Sequence, residues 1–196
     1  MSNFILNDGY NLSKNFLKNG NRDKVKLGNK KFIDLSNCSG ALLLGHNHRI
    51  TRNAIKNYLK KNLTSSAYPN TSALEFSKII KKLFPNFKKI VFCNTGSEAV
   101  IKSLRISRAI NKKSKIVSVV GSWHGSVDQT LFTQNKKKEI ESISSGLKMD
   151  DRKNIIYIPY NDIARSKKIL DKSKNKINCI IIEPVLAGLP LSNVYS

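Results

Sequence analysis

The stretch FCNTGSEAVIKSLRISRA, residues 92–109, joins an apolar segment to a helical pattern through four small or polar residues. We predict that Lys89–Cys93 is a buried strand and that Ser97–Asn111 is the helix that follows it. A strand that leads directly into a helix is the building unit of α/β proteins. The stretch therefore predicts an α/β fold, provided that the rest of the chain repeats the alternation.

Three further apolar runs continue the alternation of strands and helices. They are continuous rather than alternating, as expected for strands of a parallel sheet that is covered on both faces. These strands are predicted at Lys115–Val120, Ile155–Ile158 and Asn178–Ile182. Helices with apolar residues every three or four positions are predicted at Arg49–Leu63, Ser72–Phe84 and Asp162–Lys172. We therefore predict a mainly parallel sheet with right-handed crossovers.

A short β-rich section precedes this alternation. Val25–Leu27 and Phe32–Asp34 flank Gly28–Asn29, which is a hairpin signal. We predict an N-terminal segment with a β-hairpin at 1–48, followed by a larger domain at 49–196.

Composition limits the class of protein. The 196 residues are 40% hydrophobic, which is typical of a soluble globular protein. No apolar run is long enough for a membrane helix, and Met1–Tyr10 lacks the pattern of a secretory signal. Three scattered cysteines, Cys38, Cys93 and Cys179, predict neither a disulfide framework nor a metal site. These observations favour the cytoplasm.

The charge raises a different class of function. Lys and Arg total 35 against 13 Asp and Glu, a formal net charge of +22. Such an excess makes nucleic acid a candidate partner. The basic residues are spread along the chain, however, and the lysine-rich stretch Thr133–Asp151 is predicted to be a surface excursion. Because no nucleic-acid-binding motif accompanies them, we expect no specific nucleic-acid partner.

Small residues mark the start of the helix predicted at Ser97–Asn111. Thr95–Gly96–Ser97–Glu98 fits a capping box, in which Glu98 reaches back to the backbone N–H of Thr95. A simple helix cap is one interpretation. The other is a phosphate site, because Gly96 permits close approach and the helix start offers unpaired N–H groups.

A second motif follows the strand Lys115–Val120. In Gly121–Ser122–Trp123–His124–Gly125, an aromatic ring and an imidazole lie on a glycine-flanked turn. Open α/β sheets bind ligands at this edge, and a flat ring there can stack on a planar ligand. The alternative is a packed tryptophan beside an ordinary histidine. Glu183, which follows the last predicted strand, reaches the same edge.

Taken in order, these segments resemble the class III aminotransferase family of pyridoxal phosphate enzymes, in its glutamate-1-semialdehyde aminomutase-like branch. The matching motifs are Gly28–Asn29 with Asp34, Leu44–His48, Asn94–Ala99, Trp123–Gly125 and Glu183–Val185. The resemblance implies the large domain of a fold type I pyridoxal phosphate transferase, in incomplete form.

The resemblance also implies roles for the matched residues. Thr95, Gly96, Ser97, Trp123 and His124 are expected to bind pyridoxal 5'-phosphate. Gly96 and Ser97 would hold its phosphate, Trp123 would stack on its ring, and His124 would complete the same turn.

The remaining chemistry is expected elsewhere. The family's Schiff-base lysine and ring-nitrogen aspartate are expected beyond Ser196, so we expect an N-terminal fragment that is inactive by itself. The resemblance implies a small amino-acid or amino-aldehyde substrate and a homodimer, with no membrane. Aminotransferase and aminomutase both remain open, as does a non-catalytic remnant or a basic module that binds phosphate or nucleic acid.

Overall fold

A computed structural model of the chain describes residues 17–61 and 68–185. The chain divides into two compact units, Met1–Asn86 and Phe87–Ser196. The domain boundary predicted between residues 48 and 49 falls inside the first unit and stays a prediction. Within the described ranges, no helix is both long enough and apolar enough to cross a membrane.

The described part of the first unit includes an antiparallel sheet of three strands. They are β1 (Leu17–Asn21), β2 (Lys24–Leu27) and β3 (Lys30–Ile33), in that order. The predicted hairpin is confirmed, because Leu27 pairs with Lys30 across Gly28–Asn29 and Gly28 has a φ of +61°. β1 was not predicted from the sequence, since LKNGN has no apolar alternation.

Two helices follow this sheet in the described part of the first unit. α1 (Arg49–Leu59) is shorter than the predicted Arg49–Leu63, of which residues 62 and 63 lie outside the described ranges. α2 (Thr71–Leu83) agrees with the prediction to within one residue at each end. It begins where it does because the Asn70 side chain accepts a hydrogen bond from the Ala73 N–H at 2.9 Å.

The Leu44–His48 motif has a structural place inside this unit. His46 forms a β-bridge with Arg22, and its Nε2 lies 2.9 Å from Asp34 Oδ2. Gly45 has a φ of +77°, and a Cβ there would lie 2.7 Å from the Arg22 carbonyl oxygen. Hydrogen bonds from Ser36, then from His46, lower the pKa of Asp34 to about 2. The motif therefore contacts the chain on both sides of the hairpin, at Arg22 before β2 and at Asp34 after β3.

The second unit holds the parallel sheet. Its strands are β4 (Lys115–Val119), β5 (Phe132–Gln134), β6 (Ile140–Ser142), β7 (Ile155–Ile158) and β8 (Ile177–Ile180), and its helices are α3 (Gly96–Ile110) and α4 (Ile163–Ser173). β4 lies between β7 and β8 and is parallel to both. Three of the four predicted strands are thus confirmed in one parallel sheet. Both faces of β4 are covered, since Ile116, Val117 and Ser118 are buried in succession.

The fourth predicted strand, Lys89–Cys93, is wrong. The segment has no regular secondary structure and belongs to none of the sheets in the described part of the chain. An apolar run becomes a strand only where a neighbouring strand completes its hydrogen-bond ladder. Val91 accordingly keeps 63% of its surface exposed.

The predicted surface excursion at Thr133–Asp151 is partly wrong as well. β5 and β6 pair as an antiparallel hairpin inside it. Ile140 and Leu147 pack against the buried cluster of Phe132, Ile155 and Tyr157. The lysines between β5 and β6 are exposed as expected. Because they dominate the composition of this stretch, its two short strands were not predicted from the sequence.

A buried polar cluster fixes α3 relative to the sheet. Asn178, at the start of β8, is 8% exposed, and Ser107 Oγ donates to its Oδ1 at 2.8 Å. Its amide donates in turn to the carbonyls of Ser107 and Asn111. Apolar packing of Leu104 with Ile116 holds the middle of the helix. These contacts leave the start of α3 at the carboxyl ends of the strands.

Candidate functional site

The start of α3, Asn94–Glu98, is called the helix mouth below. Thr95 is the N-cap, and its Oγ1 accepts a hydrogen bond from the Glu98 N–H at 3.1 Å, as predicted. The return bond differs, because Glu98 Oε2 accepts from the Asn94 N–H at 3.0 Å rather than from Thr95. The long glutamate side chain reaches past the cap residue and ties the helix to the segment before it.

Three backbone N–H donors of the helix mouth have no acceptor in the described part of the chain, and two of them belong to the first two residues of α3. The N–H groups of Gly96 and Ser97 donate no hydrogen bond to any residue that the structure describes. A Cβ built on Gly96 would meet no described atom within 4 Å. Gly96 is helical, so neither backbone strain nor packing demands a glycine here. These donors lie at the positive end of the helix dipole, and the space that a side chain at Gly96 would fill is open, an arrangement that suits an anion.

The second motif, Gly121–Ser126, is called the Trp turn. Gly121 and Gly125 have φ values of +85° and +75°, which favour glycine. The backbone N–H of Trp123 donates to Glu183 Oε2 at 3.0 Å, while 53% of the tryptophan surface stays exposed. The turn therefore holds its backbone firmly and presents the indole to solvent.

His124 lies beneath the same turn. It is only 7% exposed, and its Nε2 is 2.9 Å from Ser122 Oγ and 3.1 Å from Ser118 Oγ. Since the Ser122 hydroxyl donates to the Val119 carbonyl at 2.8 Å, Ser122 accepts from Nε2–H. Burial lowers the pKa of His124, and the charge of Glu183 opposes that shift. His124 thus anchors the turn as a neutral imidazole, while its predicted contact with a cofactor stays a prediction.

The helix mouth and the Trp turn meet directly. Ser97 Oγ accepts a hydrogen bond from the Ser126 N–H at 3.0 Å. A Cβ on Gly125 would lie 2.5 Å from Ser97 Oγ, so the turn packs against the helix with no room for a side chain. The structure thus brings together Ser97, Trp123 and Glu183, three positions far apart in sequence. An acceptor role in this bond leaves the Ser97 hydroxyl hydrogen available to a ligand.

Sequence reasoning missed part of this site. It named neither Ser118 nor Ser126, and it gave Gly125 no contact with the helix. Ser118 carried a signal, because it is a polar residue at the centre of the apolar strand KIVSV. The Ser118 residue is 2% exposed, so its hydroxyl needs a hydrogen-bond partner, and His124 lies only six residues further along the chain.

Comparisons with known proteins bear on the whole chain. The sequence profile of the Aminotransferase class-III family matches residues 18–188. The chain is 35% identical over 162 residues to the glutamate-1-semialdehyde 2,1-aminomutase of Archaeoglobus fulgidus. That match covers 82% of this chain and 38% of the relative, so the chain spans well under half of the relative's length.

Solved structures share the fold. An omega-transaminase from Sphaerobacter thermophilus superposes on 90% of this chain, with a TM-score of 0.81 at 19% identity, and 42% of its own chain is covered. A transaminase with pyridoxal phosphate bound gives a TM-score of 0.79 at 24% identity, with the same two coverages. The described α/β architecture therefore corresponds to part of the fold of these transaminases.

Proposed function

The chain belongs to the class-III aminotransferase family, and on that basis we propose that it binds pyridoxal 5'-phosphate as part of an aminotransferase or aminomutase. The substrate class that we propose is a small amino acid or amino aldehyde. One observation carries the proposal. The Ser97–Ser126 hydrogen bond joins the helix mouth, with its unbonded N–H groups and the open space at Gly96, to the turn that carries the exposed Trp123.

The helix mouth fits the phosphate of this cofactor. The N–H groups of Gly96 and Ser97 would donate to phosphate oxygens, and the Ser97 hydroxyl hydrogen would add a third bond. The space over Gly96 is where a phosphate oxygen would approach. Thr95 contributes by holding the first helical turn in place through its bond to Glu98.

The Trp turn fits the pyridine ring. The Trp123 indole offers a flat apolar face at the same edge of the sheet, and ring stacking of this kind contributes about 0.5–1.5 kcal/mol. Bound pyridoxal phosphate would supply an electron-withdrawing ring that stabilises negative charge at a substrate carbon. The residues described here would bind and orient that ring.

Amino transfer needs groups that we do not assign within these 196 residues. We expect none of the lysines in these residues to act as the Schiff-base lysine of this family. We therefore propose that a polypeptide of these residues alone binds the cofactor without catalysing amino transfer. A coupled assay of amino transfer to a keto acid tests this, and turnover by that polypeptide would contradict it.

A binding experiment tests the cofactor site. Pyridoxamine 5'-phosphate is a suitable probe, because its amine cannot condense with the many surface lysines as an aldehyde would. We expect it to quench the fluorescence of Trp123, the sole tryptophan. Gly96→Val should weaken binding by roughly tenfold or more, because the branched side chain fills the space over the helix mouth.

A matched variant separates this site from general attraction of phosphate to a basic protein. Lys136→Ala removes one positive charge from the loop between β5 and β6, away from the helix mouth. It should leave the affinity unchanged at physiological salt. Equal effects of Gly96→Val and Lys136→Ala would instead favour a basic module that binds phosphate diffusely.

Two further features belong to the proposal. We propose a homodimer, which is supported by exposed apolar side chains on α1 and α2, namely Ile50, Ile55, Leu59, Leu74 and Ile79. We also propose a cytoplasmic location, which is supported by the free thiols of Cys38, Cys93 and Cys179. Sedimentation velocity tests the first proposal, and a monomer at micromolar concentration would contradict it.

A further inference from the structure

We propose that Glu183 is a positioning residue that holds Trp123 as a rigid platform for the cofactor ring, an inference that rests on the proposed function. Glu183 Oε2 accepts the Trp123 N–H at 3.0 Å, across 60 residues of sequence. Its own position is set by the sheet, because the Ile181 N–H donates to the Val117 carbonyl at 2.9 Å and extends the β8 pairing beyond Ile180. The carboxylate therefore fixes the position of the Trp turn relative to the sheet.

Contacts to neighbouring segments hold three successive residues of the Trp turn, although Trp123 itself is exposed. Next to Trp123, His124 is buried and hydrogen-bonded, and Gly125 packs against Ser97. Glu183 supplies the bond to the tryptophan backbone itself. Trp123 is 53% exposed and does not belong to the buried core, so we infer that the restrained backbone of the turn serves to orient its ring.

The hydrogen-bond acceptor, rather than the charge, carries this role. A negative charge near an anion site opposes phosphate binding, so the charge of Glu183 brings no advantage to the cofactor. The carbonyl oxygen of glutamine can accept the same N–H. Glu183→Gln should therefore preserve the platform, whereas Glu183→Ala should release it.

The first test uses the full 196-residue chain without cofactor. Since Trp123 is the sole tryptophan, time-resolved fluorescence anisotropy reports the motion of this ring. We expect Glu183→Ala to raise the amplitude of the nanosecond component about twofold, as a restrained side chain becomes mobile. Glu183→Gln should behave as the wild type, and so should the control Asp171→Ala, on the exposed surface of α4.

The second test adds pyridoxamine 5'-phosphate. Ordering a mobile side chain weakens binding by roughly two- to tenfold, which is the loss expected for Glu183→Ala but not for Glu183→Gln. Unchanged anisotropy in Glu183→Ala, or equal mobility in both variants, would overturn the positioning role. If the wild type fails to bind the probe while Glu183→Ala still loosens the ring, the proposed function fails and the structural link stands.

Discussion

Gly96 and Gly125 lie at the same site, yet they should respond oppositely to alanine. Gly96 is helical and has no described atom within 4 Å of an added Cβ. Gly96→Ala should therefore leave the free energy of unfolding unchanged or raise it by up to about 1 kcal/mol, since alanine lowers the entropy of the unfolded chain.

Gly125→Ala should destabilise the protein for two reasons. A φ of +75° costs a non-glycine residue about 1–2 kcal/mol. The new Cβ would also lie 2.5 Å from Ser97 Oγ, so the Ser97–Ser126 hydrogen bond must break or shift, at a further cost of about 0.5–1.5 kcal/mol. The expected loss is therefore about 1.5–3.5 kcal/mol.

Gly146→Ala is the matched control. Gly146 has a φ of +83° but no described atom within 4 Å of an added Cβ, so this variant bears only the backbone cost. Urea unfolding followed by far-ultraviolet circular dichroism measures all three variants. A loss in Gly125→Ala no larger than in Gly146→Ala would refute the contact with Ser97. A destabilised Gly96→Ala would refute the open space at the helix mouth.

Three other changes test the structure. Thr95→Ala should lower the free energy of unfolding by about 1 kcal/mol through loss of the helix cap, and Thr95→Ser should restore it. His124 has a lowered pKa, so the unfolded chain binds its proton first as the pH falls below 6.5; stability should decline there, and less steeply in His124→Gln. The pKa of Asp34 is lowered to about 2, so its contribution to the free energy of unfolding should be complete above about pH 4 and be lost as the pH falls toward 2. Asp34→Asn should remove this pH dependence, and urea titrations at each pH measure it. Flat pH profiles in the wild type would contradict both titration predictions.

The sequence determined the elements whose signals are local. Continuous apolar runs at β4 and β7 specify buried strands, because strands covered on both faces are apolar along most of their length. The Thr95–Glu98 pair and the Gly28–Asn29 loop are local as well, since both depend on backbone geometry over four residues or fewer. For the same reason, the residues of the helix mouth predicted the capped helix start, and the anion site there stays a prediction.

Only the tertiary structure decided what depends on distant partners. Lys89–Cys93 has the composition of a strand but lies outside the described sheets, since strand pairing is not a property of a single segment. The bonds from Trp123 to Glu183 and from Ser126 to Ser97 join residues 60 and 29 positions apart, and no local pattern specifies them. The site exists because parallel strands bring their carboxyl ends to one edge, where three segments of the chain meet.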